Sequence, residues 1–232
     1  MATFSEIIYL VKGFPRLGDG DSRSNNYTDR ELAFIINYYR AKIISQQMSK
    51  NREVDSSYVQ SLGKVEVIRA SKNECCDLDC DVDDVVYRVK EKLPSFISTK
   101  GNSIVPYIGT VDGNNKFTRS SYNKSVFDRF SLYTSKRTKY YELQGYIYIT
   151  NPPTTNLKYI TLQGVFEAPE KARNYFTCGC EDGTVDCSDG YNFDYPIKVS
   201  DVDIIVKMVA DSEYRFAGML PKDTLNDSRD AN

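Results

Sequence analysis

The stretch from Asp29 to Met48 constrains the fold more than any other, because as a helix its apolar positions cover more of the cylinder than one core takes. Thr28-Asp29-Arg30-Glu31 spells a capping box, in which the Thr oxygen accepts an orphan amide and the Glu reaches back to the cap. Leu32, Ile35, Ile36, Tyr39 and Ile43 then fall on one stripe at helical spacing, the face an intrachain core takes. Phe34, Tyr38, Ala41, Ile44 and Met48 form a second stripe beside it. The helix is thus apolar over roughly two thirds of its circumference, and such helices sit between other elements. The second stripe is therefore assigned to contacts between chains. The competing reading is the central helix of an ordinary monomeric core.

At 232 residues the chain is long enough for one large domain, or a domain with an insertion, around a sizeable core. Thirty basic and 32 acidic residues leave a net charge of -2, which argues against a dedicated nucleic-acid coat but allows a local basic patch. No apolar run reaches the roughly 18 residues of a membrane span, and Met1-Ala2-Thr3-Phe4 does not open a secretory signal. The expectation is a soluble protein made in the cytoplasm, with no membrane partner. Histidine is absent, which removes the commonest general base, the imidazole triads and imidazole metal sites. Eighteen Tyr and 11 Phe supply the amphipathic area that interfaces favour. No enzymatic activity and no cofactor are expected.

Thr3-Phe4-Ser5-Glu6 is another capping box, opening a short helix with Phe4, Ile7, Ile8 and Val11 on one face and Gly13 at its end. Residues Phe14 to Asn26 read as a loop, and Asp55 is expected to cap a third short helix with Tyr58, Val59 and Leu62, ended by Gly63. From Lys64 the period changes from 3.6 to 2. Strands are predicted around Val65 and Val67, around Val85, Tyr87 and Val89, and from Ile104 to Val111 with a return through Lys116-Phe117-Thr118. A helical turn at Val126, Phe127 and Phe130 precedes a tight hairpin, Lys139 to Leu143 and Tyr146 to Ile149 around Gln144-Gly145, and Tyr159 to Phe166 adds a strand. A short helix follows Pro169, and Ser200 is expected to cap a last helix bearing Val202, Ile205, Val206 and Val209. The predicted fold class is α+β: a helical domain built from N- and C-terminal segments, 1–63 and 168–221, with a β-rich insertion, 64–167, and an extended tail, 222–232.

Six cysteines fall in two clusters, Cys75, Cys76, Cys80 and Cys178, Cys180, Cys187. A thiolate zinc site, a disulfide and free thiols are all open, although the spacing is poor for zinc and Glu74, Asp77, Asp79 and Asp81 disfavour thiolate nearby. The alternating Asp77, Asp79, Asp81 and Asp83 lack the Gly and Glu of a calcium loop, with Val82 and Arg88 in those places. Arg119, Lys124, Arg129, Lys136, Arg137 and Lys139 interleave with Tyr122, Phe127, Phe130 and Tyr133. That pattern suits a phosphate backbone with stacked bases, a protein interface, or a charged face over an apolar one. An intracellular nucleic-acid-binding module using this segment is the alternative function.

Taken in order, the Tyr39-Arg40-Ala41-Lys42 helix, Val59-Gln60-Ser61-Leu62-Gly63, Cys75-Cys76, Lys92-Leu93-Pro94 and Tyr107-Ile108-Gly109-Thr110-Val111-Asp112-Gly113 make a recognisable series. It continues through Gly145-Tyr146-Ile147-Tyr148-Ile149-Thr150-Asn151 and Gly164-Val165-Phe166-Glu167-Ala168-Pro169 to Pro221-Lys222-Asp223-Thr224-Leu225-Asn226-Asp227. The series resembles the ring, or head-to-tail connector, proteins of crAss-like tailed phages. The resemblance implies a virion structural protein of the neck and tail: a ring of twelve copies on the portal, surrounding the DNA passage and carrying other tail or ring proteins. Packaged DNA passes through such a ring without sequence-specific binding. Closure needs two different faces per subunit, which the two stripes of the long helix supply. Asp223, Asn226 and Asp227 in the polar tail are assigned to docking on the portal or a neighbouring ring protein.

Overall fold

The computed structural model describes residues 2–13, 27–50, 53–69, 87–124, 133, 135–154, 156–177 and 190–214. In chain order the elements are α1 (Phe4–Gly13), α2 (Asp29–Lys50), a 3-10 turn (Ser56–Tyr58), β1 (Gln60–Arg69), β2 (Tyr87–Val89), β3 (Ser98–Thr99) and β4 (Asn102–Ser103). They continue with β5 (Tyr107–Thr110), β6 (Thr118–Arg119), β7 (Lys139–Leu143), β8 (Tyr146–Thr150), β9 (Tyr159–Gly164), α3 (Pro169–Thr177), α4 (Val199–Val209) and a π-helical turn (Ala210–Tyr214). The fold is α+β, in two compact units: Met1–Lys50 with Asp189–Asn232, and Asn51–Ser188.

In the first unit α1, α2 and α4 pack pairwise. Both capping boxes form: the Thr3 and Thr28 amides donate to Glu6 and Glu31 Oε2 at 2.8 Å, and the Glu amides return to the Thr hydroxyls at 3.3 Å. Phe4, Ile7, Ile8 and Val11 are buried as their spacing predicts. Phe4 stacks on Tyr195 at 4.5 Å, while its amide donates to the Phe193 carbonyl at 2.9 Å. Arg40, fully buried, donates from Nε to the Pro196 carbonyl at 2.9 Å and lies 5.5 Å over the Tyr195 ring. The Tyr195 hydroxyl in turn donates to Asn37 Oδ1 at 2.7 Å. α4 starts earlier than expected. Its N-cap is Lys198, in extended backbone and without a side-chain cap, whereas Ser200 lies inside the first turn and donates to Asp201 Oδ1 at 3.3 Å.

In the second unit the expected helix at Asp55 is a single 3-10 turn. Asp55 does cap it, accepting from the Ser57 amide at 3.0 Å, but the chain then enters β1 at Gln60. Gln60 and Ser61 pair with Gly164 and Gln163 of β9, and Leu62 is fully buried in the core, so non-local pairing overrides the local helical spacing. Gly63 at φ 63° serves the bulge between Ser61 and Lys64 rather than a helix end.

Seven strands form one sheet in the order β5-β9-β1-β2-β8-β7-β6, antiparallel except for the β6–β7 pair. Its two margins meet. The Thr110 amide donates to the Asn115 carbonyl at 3.0 Å and the Phe117 amide to the Ile108 carbonyl at 2.8 Å, just before β6 joins β7. The sheet therefore closes on itself as a small barrel, filled by Leu62, Val65, Val89, Ile108, Phe117, Ile147, Ile149, Ile160 and Leu162. The β7–β8 hairpin turns at Gln144 and Gly145, both at positive φ (52° and 83°), as a two-residue primed turn requires. Outside it, Tyr141 stacks on Tyr148 at 5.2 Å. β5 and β9 are shorter than predicted, because Ile104 turns to pair with Ile97 and Phe166 bridges to Phe96. α3 packs against β1, with Gln60 Nε2 donating to the Pro169 carbonyl at 3.2 Å.

Gly164 is a point of close approach in the sheet. A Cβ there would stand 2.6 Å from Cε1 of Phe96 and 3.2 Å from Cζ of Phe166, two buried rings 4.9 Å apart. Gly164→Ala is expected to lower the unfolding free energy by about 1–3 kcal/mol, as overpacking does. An unshifted denaturant midpoint would show that the Phe96 ring turns aside freely.

Candidate functional site

The outward side of α2 carries Phe34, 73% exposed, and Tyr38, 57% exposed, one turn apart on a helix whose other side is packed. Ala41 and Met48 are half-buried. Ile44 departs from the expectation: at 1% exposure it belongs to the core of its own chain and cannot meet a neighbour. The reason is the burial of Asn37 and Arg40, two polar residues whose arc of the helix, continued at the i+4 position, includes Ile44. The surface offered by α2 is thus narrower than the stripe in the sequence and centres on two aromatic rings. Tyr38 packs edge-on against Tyr39 at 5.3 Å, and the Tyr39 hydroxyl is hydrogen-bonded to that of Ser212. The ring is therefore presented from a fixed support. At the start of the same helix, hydrogen bonds from the Thr28 amide and then its hydroxyl hold the Glu31 carboxyl below the usual carboxylate range.

A second apolar surface lies on α1, and the sequence reading missed it. Tyr9 is 74% and Leu10 49% exposed, on the side opposite Phe4, Ile7, Ile8 and Val11. With Ala2, Ser5 and Glu6 they line an open groove of about 520 Å³. The available signal was the adjacent Tyr9-Leu10 pair lying off the buried stripe.

The basic segment is not one surface. Arg119 on β6 is exposed and donates Nη1 to the Ser103 carbonyl at 2.9 Å. Lys124, Lys136 and Arg137 are exposed, whereas Lys139 is only 4% exposed, the first of three consecutive buried residues at the start of β7. Lys139 is thereby removed from the basic face. Beside it, burial pushes the Tyr140 hydroxyl above its ordinary value, against the influence of the Arg119 charge. Arg129 lies outside the described residues, as do Val126, Phe127 and Phe130. So do Cys75, Cys76, Cys80, Cys178, Cys180 and Cys187, and the tail residues Asp223, Asn226 and Asp227. Among the described residues no group of three or more acidic or sulfur ligands is placed to hold a metal ion. Among them, too, no helix is long and apolar enough to cross a membrane.

What the structure brings together is therefore apolar and aromatic area on packed helices, which suits association. No curated protein matches the sequence. The family described as phage tail ring protein 2, a crAss ring family, matches residues 15–232. Nearly the whole chain lies within that match, and the protein belongs to the phage tail ring protein 2 family.

Proposed function

We propose that the chain associates with further copies of itself in a ring of twelve that joins the capsid portal to the tail and surrounds the DNA passage. Its role is structural rather than enzymatic. Membership of a phage tail ring family supports a place in the tail, self-association and contact with other tail components. The observation that carries the reading is the Phe34–Tyr38 pair, two large rings held in water on a rigid helix. Covering each by a neighbour is worth about 1.5–3 kcal/mol, an appreciable share of what one subunit contact needs. Half-buried Ala41 lies one turn on from Tyr38, and half-buried Met48 lies further along the same side of the helix. The tail residues Asp223, Asn226 and Asp227 are proposed to dock on the portal or on a neighbouring ring protein, and DNA passes through without being read.

Native mass, alone and with a portal protein, tests the reading. The wild-type chain is expected at a high multiple of its 26.5 kDa subunit, and the double variant Phe34→Asp, Tyr38→Asp as a single subunit with unchanged circular dichroism. A wild-type chain that stays single in both conditions would overturn the ring, and a double variant that still assembles would overturn the role of this patch.

A further inference from the structure

α1 and α2 pack together, and each carries aromatic or aliphatic residues on the side turned away from the shared core. On α2 that outward side is a ridge, Phe34 and Tyr38. On α1 it is the groove beside Tyr9 and Leu10. Among the described residues lining the groove the one carboxylate, Glu6, is turned to the helix start, where its Oε2 accepts the Thr3 amide at 2.8 Å, so the groove floor is left to apolar atoms. α4 also exposes Val199 and Ile204, but five positions apart they lie on different arcs and make no continuous patch.

A closed ring of more than two subunits needs two different, complementary patches on each copy, facing away from each other. We infer that the Phe34–Tyr38 ridge of one copy seats in the α1 groove beside Tyr9 and Leu10 of the next. The inference rests on the ring reading above and adds the receiving surface. It also accounts for α1, a short helix with apolar residues on opposite sides: one side closes its own core and the other closes the neighbour's surface. The Lys12–Asp29 ion pair links the end of α1 to the start of α2, the two helices that carry groove and ridge.

A mixing experiment reads the pairing directly. Phe34→Asp blocks the ridge and leaves the groove, while Leu10→Asp blocks the groove and leaves the ridge. Both positions are exposed, so each variant is expected to fold, with circular dichroism as the check and Tyr9→Ser as a second groove variant. Each variant alone is expected as a single subunit under conditions in which the wild type forms rings. Mixed in equal amounts, they are expected to give a complex of two subunits and nothing larger, because one intact ridge meets one intact groove and the remaining faces are both blocked. If Leu10→Asp and Tyr9→Ser still form rings, or if the mixture yields only single subunits, the pairing is overturned while the ring stands. A wild-type chain that never forms rings overturns the ring reading and the pairing with it.

Discussion

Replacing Arg40 by alanine is expected to remove about 3–5 kcal/mol from the stability of the helical unit, a large part of the roughly 5–15 kcal/mol that holds a typical domain folded. Arg40 is fully buried, and its guanidinium is used from two directions, by the Pro196 carbonyl at 2.9 Å and by the face of Tyr195. Truncation empties the space of a long side chain and takes the Nε donor from a carbonyl, for which loss of the bond alone costs about 1–3 kcal/mol. It also loosens Tyr195, which stacks on Phe4 and bonds Asn37, so α1 and α2 lose their common anchor. Arg40→Lys should recover little, because an ammonium offers neither the planar face nor a donor at the Nε position. Urea unfolding followed by circular dichroism gives both numbers. A shift below about 1 kcal/mol for alanine would show that the anchor is dispensable.

Ile44→Asp is expected to unfold the helical unit outright, with loss of helical circular dichroism. The side chain is 1% exposed, and burying a carboxylate there costs about 3 kcal/mol or more even after it takes up a proton. The gentler Ile44→Val, at about 0.5–1.5 kcal/mol, should leave a folded chain and undiminished assembly. The contrast with Phe34→Asp, which keeps the fold, separates core from interface on one helix. If Ile44→Asp gave a folded single subunit, the helix would have to bury a narrower arc than it does.

The difference between Ile44 and Phe34 shows where the sequence was legible. Apolar spacing and capping chemistry are local, so α1, the start of α2, the Gln144-Gly145 hairpin and the helix after Pro169 could all be read directly from neighbouring residues. The second stripe could not be divided correctly. Asn37 and Arg40 look like a solvated face until Tyr195 and Pro196, some 150 positions later, arrive to take their donors and acceptors. The same holds for Leu62, whose helical spacing from Tyr58 and Val59 lost to pairing with β9, and for Lys139, a charged residue on a strand covered on both sides. The return through Lys116-Phe117-Thr118 was legible, but its parallel pairing with β7, which closes the sheet, rests on main-chain bonds from Thr118 and Ser120 to the Thr138 and Tyr140 carbonyls that leave no mark in side-chain chemistry. The groove on α1 was legible in principle, since Tyr9-Leu10 sits off the buried stripe, but the buried stripe alone had been enough to explain the helix.

A sheet whose margins meet also has a consequence for life at extreme local concentration. Copies held shoulder to shoulder in a ring would turn any long unpaired strand into an adhesive, because exposed main-chain amides and carbonyls bind another strand regardless of its sequence. Pairing of residues 115–117 with β5 occupies the main-chain groups of that edge within one subunit. At that edge, recognition between neighbouring copies is left to side chains, which can tell the correct neighbour from every other surface in the particle.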